Sequence, residues 1–588
     1  MKYITYSKKK DESPQKTVEN IKSKLAKLDI SPKEIWSTKT SNLYSVRLVY
    51  LGRQMAEGKG TTKDYALASG YGELIERLQN NVSFHFKFDE STSHKELSIN
   101  DFIKKNPIFA KKDINSFLKA GYFNFYERND TLNAKKKLEK LNKISLGKEC
   151  EKLDITEFYS VNENKILPLP FDIIRTFCTY NGMCSGNTKE EALVQGISEI
   201  FERYAGGTLV LKNIVPPDIP KEDYIKYKKI KQIIDYYNSL NLDVLVKDFS
   251  LGRGLPTVGV FILDKNSHSY CSSIASHPCL AIAIERCFTE IKQERDITAE
   301  SFSKYMTNVA SSPSGTKNML QNLTMLVQRA VFDVSYEFFT KEPSYKYNPE
   351  TWLSTKHNNK FYLNKMFEII KQNFDGSIYI RNMSFLGFNT YWVVIPQLSI
   401  VYNDEELLNR RREAFKYLEI LKKKHKTEDD LKTLLIGLNY HIEFYMYPYD
   451  VEILPNKADI ILAAFCEFKL KNYDNAKKNL EYFFKKELQR NSTIYDIMHC
   501  FKTYIELLLD NKNNISAYIE NFYNENIIEL FNKIFFEKDG INILICNLIN
   551  KTNKDSQNSD NSIEKITEIS KKLTKLYNNN MPNQQIFE

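Results

Sequence analysis

The chain has 588 residues, more than one core accommodates at roughly 150 residues per domain. Hydrophobic residues make up 42% and charged residues 27%, which fits a packed interior and excludes global disorder. The net charge of +9 comes from 83 basic and 74 acidic residues spread along the chain, so no direct nucleic-acid binding is expected.

The N-terminus, MKYITYSKKKDESPQK, is charged with no apolar run after it, so no signal peptide is expected. No apolar stretch approaches the roughly 18 to 20 residues of a membrane span. The nine cysteines include no C-x-x-C pair, so zinc ribbons, thioredoxin-like chemistry and iron–sulfur ligation lack their usual spacing, and a reduced, cytoplasmic compartment fits.

Strand-like runs at LYSVRLVYL (43–51), TVGVFILD (257–264) and YWVVIPQLSIVY (391–402) alternate with helical patterns. Beyond Asn403 strand signals nearly vanish, placing a boundary near 400 to 405. Residues 1–402 are thus expected to form an α/β (α+β) domain with mixed sheets and packed helices, and residues 403–588 an all-helical domain. In the latter, ADIILAAFCEFKLKNYDNAKKNLEYFFKK (458–486) sets two amphipathic helices around an N-Y-D-N turn and resembles a tetratricopeptide hairpin. Clean 34-residue copies are not found, and an ordinary helical bundle stays open. The polar stretch NKTNKDSQNSDNS (550–562) reads as a loop.

Two segments repeat in register: TKDYALASGYGELIERL (62–78) and TKEEALVQGISEIFERY (188–204). At 100° per residue, Leu193, Ile197, Ile200, Phe201 and Tyr204 form one stripe, with Glu191, Gln195, Glu199 and Glu202 opposite. The first copy likewise sets Leu67, Tyr71, Leu74, Ile75 and Leu78 against Ser69, Glu73 and Glu76. A third segment, AIERCFTEIKQE (283–294), joins this register when Glu290 is laid on Glu73, which puts Arg286 in the place of Ser69 and Gln195.

One E-x-x-E-R run alone is an ordinary solvated helix face. Three in one register suggest more. Magnesium prefers oxygen ligands and is commonly held by a few carboxylates plus substrate phosphates. Glu73, Glu76, Glu199, Glu202 and Glu290, gathered together, would repel one another unless cations intervened. A metal-bound triphosphate resolves both charge problems, with Arg286 facing the transferred phosphoryl group.

Helix starts also suit phosphates. Thr188 and Glu191 have capping-box spacing, and Cys184-Ser185-Gly186-Asn187 just precedes them. Gly58-Lys59-Gly60-Thr61-Thr62 precedes the first copy but is no P-loop, because Lys59 is followed by Gly60 rather than Ser or Thr. Gly252-Arg253-Gly254 misses the dinucleotide fingerprint, since Thr257 stands where its third glycine belongs.

GKGTTKDYALASGYGELIERL, NGMCSGNTKEEALVQGISEIFERY and ASHPCLAIAIERCFTEIKQERD together resemble the YcaO family. The resemblance implies a glutamate-rich, non-Walker ATP site whose γ-phosphoryl group activates a backbone amide oxygen of a peptide. By position it implies a magnesium shell of Glu73, Glu76, Glu199, Glu202 and Glu290. Nucleotide contacts are implied at Lys10, Thr17, Cys184, Ser185, Asn187, Thr188, Glu191 and Gln195, with Arg286 on phosphate and Arg286 and Glu290 serving catalysis.

The implied partners are a peptide or protein substrate, such as a small-subunit ribosomal protein, together with a radical-SAM methylthiotransferase and a second copy in a homodimer. In that role the chain is an accessory factor for β-methylthiolation of an aspartate. Two alternatives stay open: thioamide, amidine or azoline formation on another peptide, and a nucleotide-gated adaptor acting through the helical domain. Cys184 stands where a close family member has Ser. The C-terminus, MPNQQIFE, lacks the P-x-P-x-P tail of azoline-forming members, which argues against cyclodehydration of Cys, Ser or Thr.

Overall fold

The computed structural model describes residues 3–6, 10–37, 43–50, 54–82, 95–98, 138–139, 141–143, 151–266, 269–294, 307–308, 326, 330, 332–334, 337–374, 376–400, 420, 423, 425–439, 458–486, 493–537, 540, 544, 563–580 and 582–587. They fall into two compact units. The first comprises Met1–Ser145, Glu149–Asn403 and Glu568–Glu588, and the second comprises Leu146–Lys148 and Asp404–Thr567.

The first unit holds three sheets. One has the order β1 (Lys33–Trp36), β2 (Tyr44–Tyr50), β3 (Gln54–Gly60). The second contains β4 (Lys95–Ser98), β5 (Lys152–Ser160), β6 (Lys165–Pro170) and β7 (Met183–Gly186), with β12 (Tyr379–Asn382) and β13 (Asn389–Val394) between β5 and β7. The third runs β8 (Asp243–Asp248), β9 (Thr257–Asp264), β10 (Ser269–Ser276), β11 (Thr307–Asn308). The expected mixed sheets are antiparallel at every described pairing of these strands. The strand-like run at 391–402 ends early, because Pro396 has no N–H for a ladder and opens the short helix Pro396–Ser399.

Four helices organise the site: α1 (Pro14–Ala26), α2 (Lys63–Gln79), α3 (Lys189–Lys212) and α4 (Leu280–Glu294). Each of α2, α3 and α4 follows directly from a strand of a different sheet: β3, β7 and β10. Val18 and Ile21 of α1 pack with Leu74 and Ile75 of α2 and Val46 and Leu48 of β2. Leu193, Ile197 and Phe201 of α3 share a larger core with Ile284, Cys287 and Phe288 of α4 and Val258 and Val260 of β9.

The two register copies share more than their helices. Gly58 and Gly60 of β3 lie against α2, where a Cβ on Gly58 would meet the Ala66 oxygen at 2.1 Å and the Gly70 nitrogen at 2.4 Å. Gly186, which matches Gly60, lies against α3, where a Cβ would meet the Ala192 nitrogen at 2.6 Å. Both strands thus lie backbone to backbone on the helix that follows them.

In the second unit, helices Ala458–Lys469 and Tyr473–Lys486 form the expected hairpin, with the bend one step earlier than N-Y-D-N: Lys471 takes φ 64° and Tyr473 already begins the helix. Buried Ala463, Ala464 and Ala476 allow close packing there. Helices Glu428–Asn439, Thr493–Leu509, Ile515–Phe522 and Glu525–Phe536 complete the described part of this unit. Residues 568–588, which the sequence pattern assigns to the helical domain, belong instead to the first unit. Ile569, Leu573 and Tyr577 bury their side chains in the core around α1 and α2. The polar stretch 550–562 lies outside the described residues. Among the described residues no helix is long and apolar enough to cross a membrane.

Gly58→Ala is expected to destabilise the protein by about 2 kcal/mol or more, because the clash is with backbone and no flexible side chain can yield. Gly72→Ala, whose Cβ would meet only the Ser185 hydroxyl at 3.6 Å, should be neutral or stabilising by up to about 1 kcal/mol. Chemical denaturation of the two variants checks the contrast.

Candidate functional site

The sequence pattern of α3 is that of a half-exposed helix, yet both of its faces are enclosed: Glu191 is 5% and Glu202 2% exposed. A carboxylate held out of water is costly without partners. Its polar row therefore lines a cleft, enclosed at Glu191 and Glu202 and half-buried at Gln195 and Glu199.

At one end of the site, Glu191 binds the N-terminal segment. Lys10 Nζ lies 3.0 Å from its carboxylate, the Asp11 amide donates at 2.8 Å, and Asn187 Nδ2 donates at 3.2 Å. Thr17, at the buried side of α1, donates to Asn187 Oδ1 at 2.8 Å. Burial raises the Glu191 proton affinity, but Lys10, the Asp11 amide and Asn187 outweigh it, and the group stays below the usual carboxylate range. Thr188 caps α3 by accepting from the Glu191 amide at 3.2 Å and donates to Asp11. Only half of the capping box forms, because the Glu191 side chain turns to Lys10 and Asp11.

Along the cleft, Arg286 Nη1 donates to Gln195 Oε1 at 2.5 Å and Nη2 stands 3.9 Å from Glu202 Oε2. The two residues that share one register position on α4 and α3 therefore meet. Lys59 of β3 forms an ion pair with Glu290. Arg77 reaches Glu73 at 2.5 Å and Arg203 reaches Glu199 at 3.8 Å, the same i,i+4 pair in both copies.

Mutual repulsion links the glutamates in a chain. Burial, then Glu199 and Glu73, push Glu76 well above its usual range, although the Ser185 amide donates toward it. Burial lifts Glu199 to about 7 despite Arg203. Burial also raises Glu202, with Arg203 and Arg286 opposing it and Glu290 adding to it. Glu73 is raised by burial against Arg77 and Lys59. These contacts bring all five expected glutamates into one neighbourhood.

Two expected nucleotide contacts face elsewhere. Cys184 is fully buried, its Sγ lies 3.6 Å from the Tyr391 carbonyl, and the thiol is pushed well above its usual range by burial. Its sulfur sits where a Cβ on Gly196 would come within 2.8 Å, so it fills the core side of β7 and presents nothing to a phosphate. Ser185 points the other way, and its hydroxyl donates to the Gly72 carbonyl at 2.9 Å.

Sequence reasoning passed over several charged groups here. Lys59 was visible just before α2, and Arg77 and Arg203 recur in the register copies. Glu285, beside Arg286, is wholly buried and accepts from Tyr6 at 2.8 Å and Thr61 at 3.1 Å, with Lys229 at 3.5 Å. No spacing rule singles it out, because its partners lie more than 200 residues away in the chain or on another helix.

Five clustered carboxylates whose four basic neighbours leave Glu76 and Glu199 raised suit a divalent cation, and one atom makes the test specific. Glu202 Oε2 is buried without a hydrogen-bond partner, a cost that a bound cation removes. Among the described residues no three acidic, histidine or cysteine side chains by themselves enclose an ion.

Strand–helix units carrying glutamates, with no phosphate loop, define a class of ATP- and magnesium-binding protein. Residues 57–399, more than half of the chain, match the family model described as YcaO cyclodehydratase, ATP- and Mg2+-binding, and the chain belongs to this family. It is 25% identical over 411 residues to the ribosomal protein S12 methylthiotransferase accessory factor YcaO of Escherichia coli, covering 68% of each chain. An uncharacterized protein of Haemophilus influenzae is also 25% identical, over 68% of this chain and 67% of its own. Among solved structures, a heterocyclase in complex with substrate and cofactor aligns with a TM-score of 0.44 and 15% identity over 66% of this chain, which spans about half (53%) of the heterocyclase. YcaO from Methanopyrus kandleri bound with AMPPCP and Mg2+ aligns with a TM-score of 0.40 and 13% identity, covering 67% of this chain and 94% of its own.

The raised carboxylates make the ligand-free protein sensitive to pH. A group whose proton affinity is higher folded than unfolded contributes stability below its unfolded value and loses it as pH rises through the folded one. For Glu199 the window runs from 4.5 to about 7. Melting temperature in metal-free buffer should therefore fall across that window, and Glu199→Gln should flatten the decline by on the order of 1 kcal/mol, allowing for its partly exposed side chain.

Proposed function

We propose that the chain binds ATP with magnesium along the glutamate cleft and uses it to activate a backbone amide of a peptide or protein by phosphoryl transfer. The observation that carries this reading is the buried Glu202 oxygen without a hydrogen-bond partner, set in the chain of Glu76, Glu199 and Glu290 with Arg286 at 3.9 Å. Glu73, Glu76, Glu199, Glu202 and Glu290 hold magnesium. Lys10, Thr17, Asn187 and Glu191 position the nucleotide at the start of α3, with Thr188 ordering that turn. The bound magnesium nucleotide supplies the phosphoryl group and the counter-charge for the glutamates.

Arg286 is the catalytic cation. Gln195 and Glu202 hold its guanidinium in place, so it meets charge developing on phosphate without reorganising. Glu290, paired with Lys59, is the second catalytic group in this reading. Arg286→Ala is expected to lower ATP turnover about a hundredfold while changing nucleotide affinity much less. Equal losses in both would remove Arg286 from the chemistry, and metal-independent nucleotide binding by the wild type would remove the site itself.

In the cell, we infer an accessory role in β-methylthiolation of an aspartate of a small-subunit ribosomal protein, beside a separate radical-SAM methylthiotransferase. The identity to the Escherichia coli accessory factor over two thirds of both chains supports this. The chemistry would lie elsewhere, since the described cysteines are all buried and no group of them could hold a cluster. The helical unit, with its tetratricopeptide-like hairpin, serves as the adaptor. Deleting the gene and measuring the modification by mass spectrometry tests this role. A clear loss is expected, and an unchanged level would leave amide activation on a different peptide.

A further inference from the structure

Glu285 of α4 is wholly buried and takes no part in the proposed chemistry. A carboxylate in such a place is costly unless donors surround it, and here they come from separate stretches of chain. The Tyr6 hydroxyl donates to Oε2 at 2.8 Å and the Thr61 hydroxyl to Oε1 at 3.1 Å, so each oxygen engages a different segment. Lys229, in the helix Lys228–Ser239, lies 3.5 Å from Oε2 and donates to the Thr61 hydroxyl at 3.4 Å.

The segments of Tyr6 and Thr61 each bring a charged group to the glutamate cleft. Tyr6 is held a second time by Tyr227, whose ring meets it edge-on at 5.6 Å. Beside it, the Ile4 amide donates to the Lys226 carbonyl at 2.8 Å, and the Ile4 carbonyl accepts from the Lys228 amide at 3.1 Å. Further along, the same segment sets Lys10 and the Asp11 amide on Glu191. Thr61 joins β3, whose Lys59 pairs with Glu290, to α2, which starts at its Thr62 cap. On α4 itself the next residue is Arg286, turned about 100° around the helix and reaching Gln195.

We infer that Glu285 is a positioning residue, which fastens the N-terminal segment and the β3–α2 turn to α4 and so holds Lys10 in register with Arg286. Its effect on ATP rests on the proposed function, whereas the fastening itself belongs to the ligand-free fold. Hydrogen bonding, more than charge, does the holding. Lys229 has a side chain 33% exposed and can turn to water, but Tyr6 and Thr61 need an acceptor where Glu285 stands. Glu285→Gln still accepts from Thr61, and its amide can donate to a Tyr6 hydroxyl that donates on to the Ala281 carbonyl, now at 3.2 Å. Glu285→Met has nearly the same length and offers neither bond.

The first test is hydrogen exchange in the ligand-free full chain. Glu285→Met should speed exchange at the Ile4 and Asp11 amides by at least about tenfold, while Glu285→Gln stays within about threefold of wild type. If Glu285→Met does not fold, Tyr6→Phe, at a half-buried position, carries the same comparison. The second test is calorimetric titration with magnesium and a non-hydrolysable ATP analogue. Glu285→Met should bind it about tenfold more weakly, and adding Lys10→Ala should cost little more, because Lys10 has already lost its place. A carboxylate that serves stability alone would give additive losses. Wild-type exchange at Ile4 and Asp11 in the folded variants overturns the inference, and so do additive losses. A wild type that binds no nucleotide ends the proposed function instead, and the exchange rates then decide the role of Glu285 by themselves.

Discussion

Like charges cannot be gathered away from water without something to oppose them, and this molecule gathers Glu73, Glu76, Glu199, Glu202 and Glu290 in one neighbourhood. Arg77, Arg203, Arg286 and Lys59 offset part of the repulsion. They do not complete it, for burial and then the neighbouring carboxylates keep Glu76 and Glu199 raised, and one Glu202 oxygen has no hydrogen-bond partner. The rest of the first unit makes sense as a scaffold that tolerates this arrangement. Three antiparallel sheets each deliver one helix, and the helices are fixed by apolar stripes on the faces turned away from the carboxylates.

The precision of that delivery comes from backbone contact. At Gly58 and Gly60 the strand touches α2, and at Gly186 it touches α3, closer than any side chain would permit. In this packing the copies differ at the matched pair Gly58 and Cys184. Gly58 packs on Gly70 in the first, whereas Cys184 packs its sulfur on Gly196 in the second. A small residue is needed on the helix in both cases, and the strand position decides only how the remaining space is filled. Cys184 is therefore a packing residue at a place where a sequence comparison suggests a phosphate contact.

Much of this was legible before any coordinates. The 3.6-residue period exposed the stripes of α2 and α3, and the register of the third segment correctly set Arg286 level with Gln195, to which it donates. Lys10 and Thr17, far away in the chain, lie against Glu191 and Asn187 at the start of α3. What remained hidden has a common cause. Periodicity tells which face a residue occupies but not what lies beyond that face. The pattern sets Glu191 and Glu202 on one polar face but does not show how deeply they are enclosed, Glu285 meets Tyr6 and Lys229 only through the fold, and residues 568–588 are helical in pattern but belong to the first unit, where they cover α1 and α2.

The two faces of α3 thus do opposite work. Leu193, Ile197 and Phe201 each contribute roughly 1.5–3 kcal/mol by burial and hold the helix in place. Glu199 and Glu202, on the other face, are strained by that same burial. On the proposed function, such a site is least stable when it is ligand-free and most stable when cations and phosphates fill it, because whatever binds only the folded state adds its binding free energy to folding. Occupancy and stability are therefore linked through the same carboxylates. The stripe on α3 sets how much of their repulsion the ligand-free fold can bear, and it follows that weakening the stripe and emptying the site act on one shared margin.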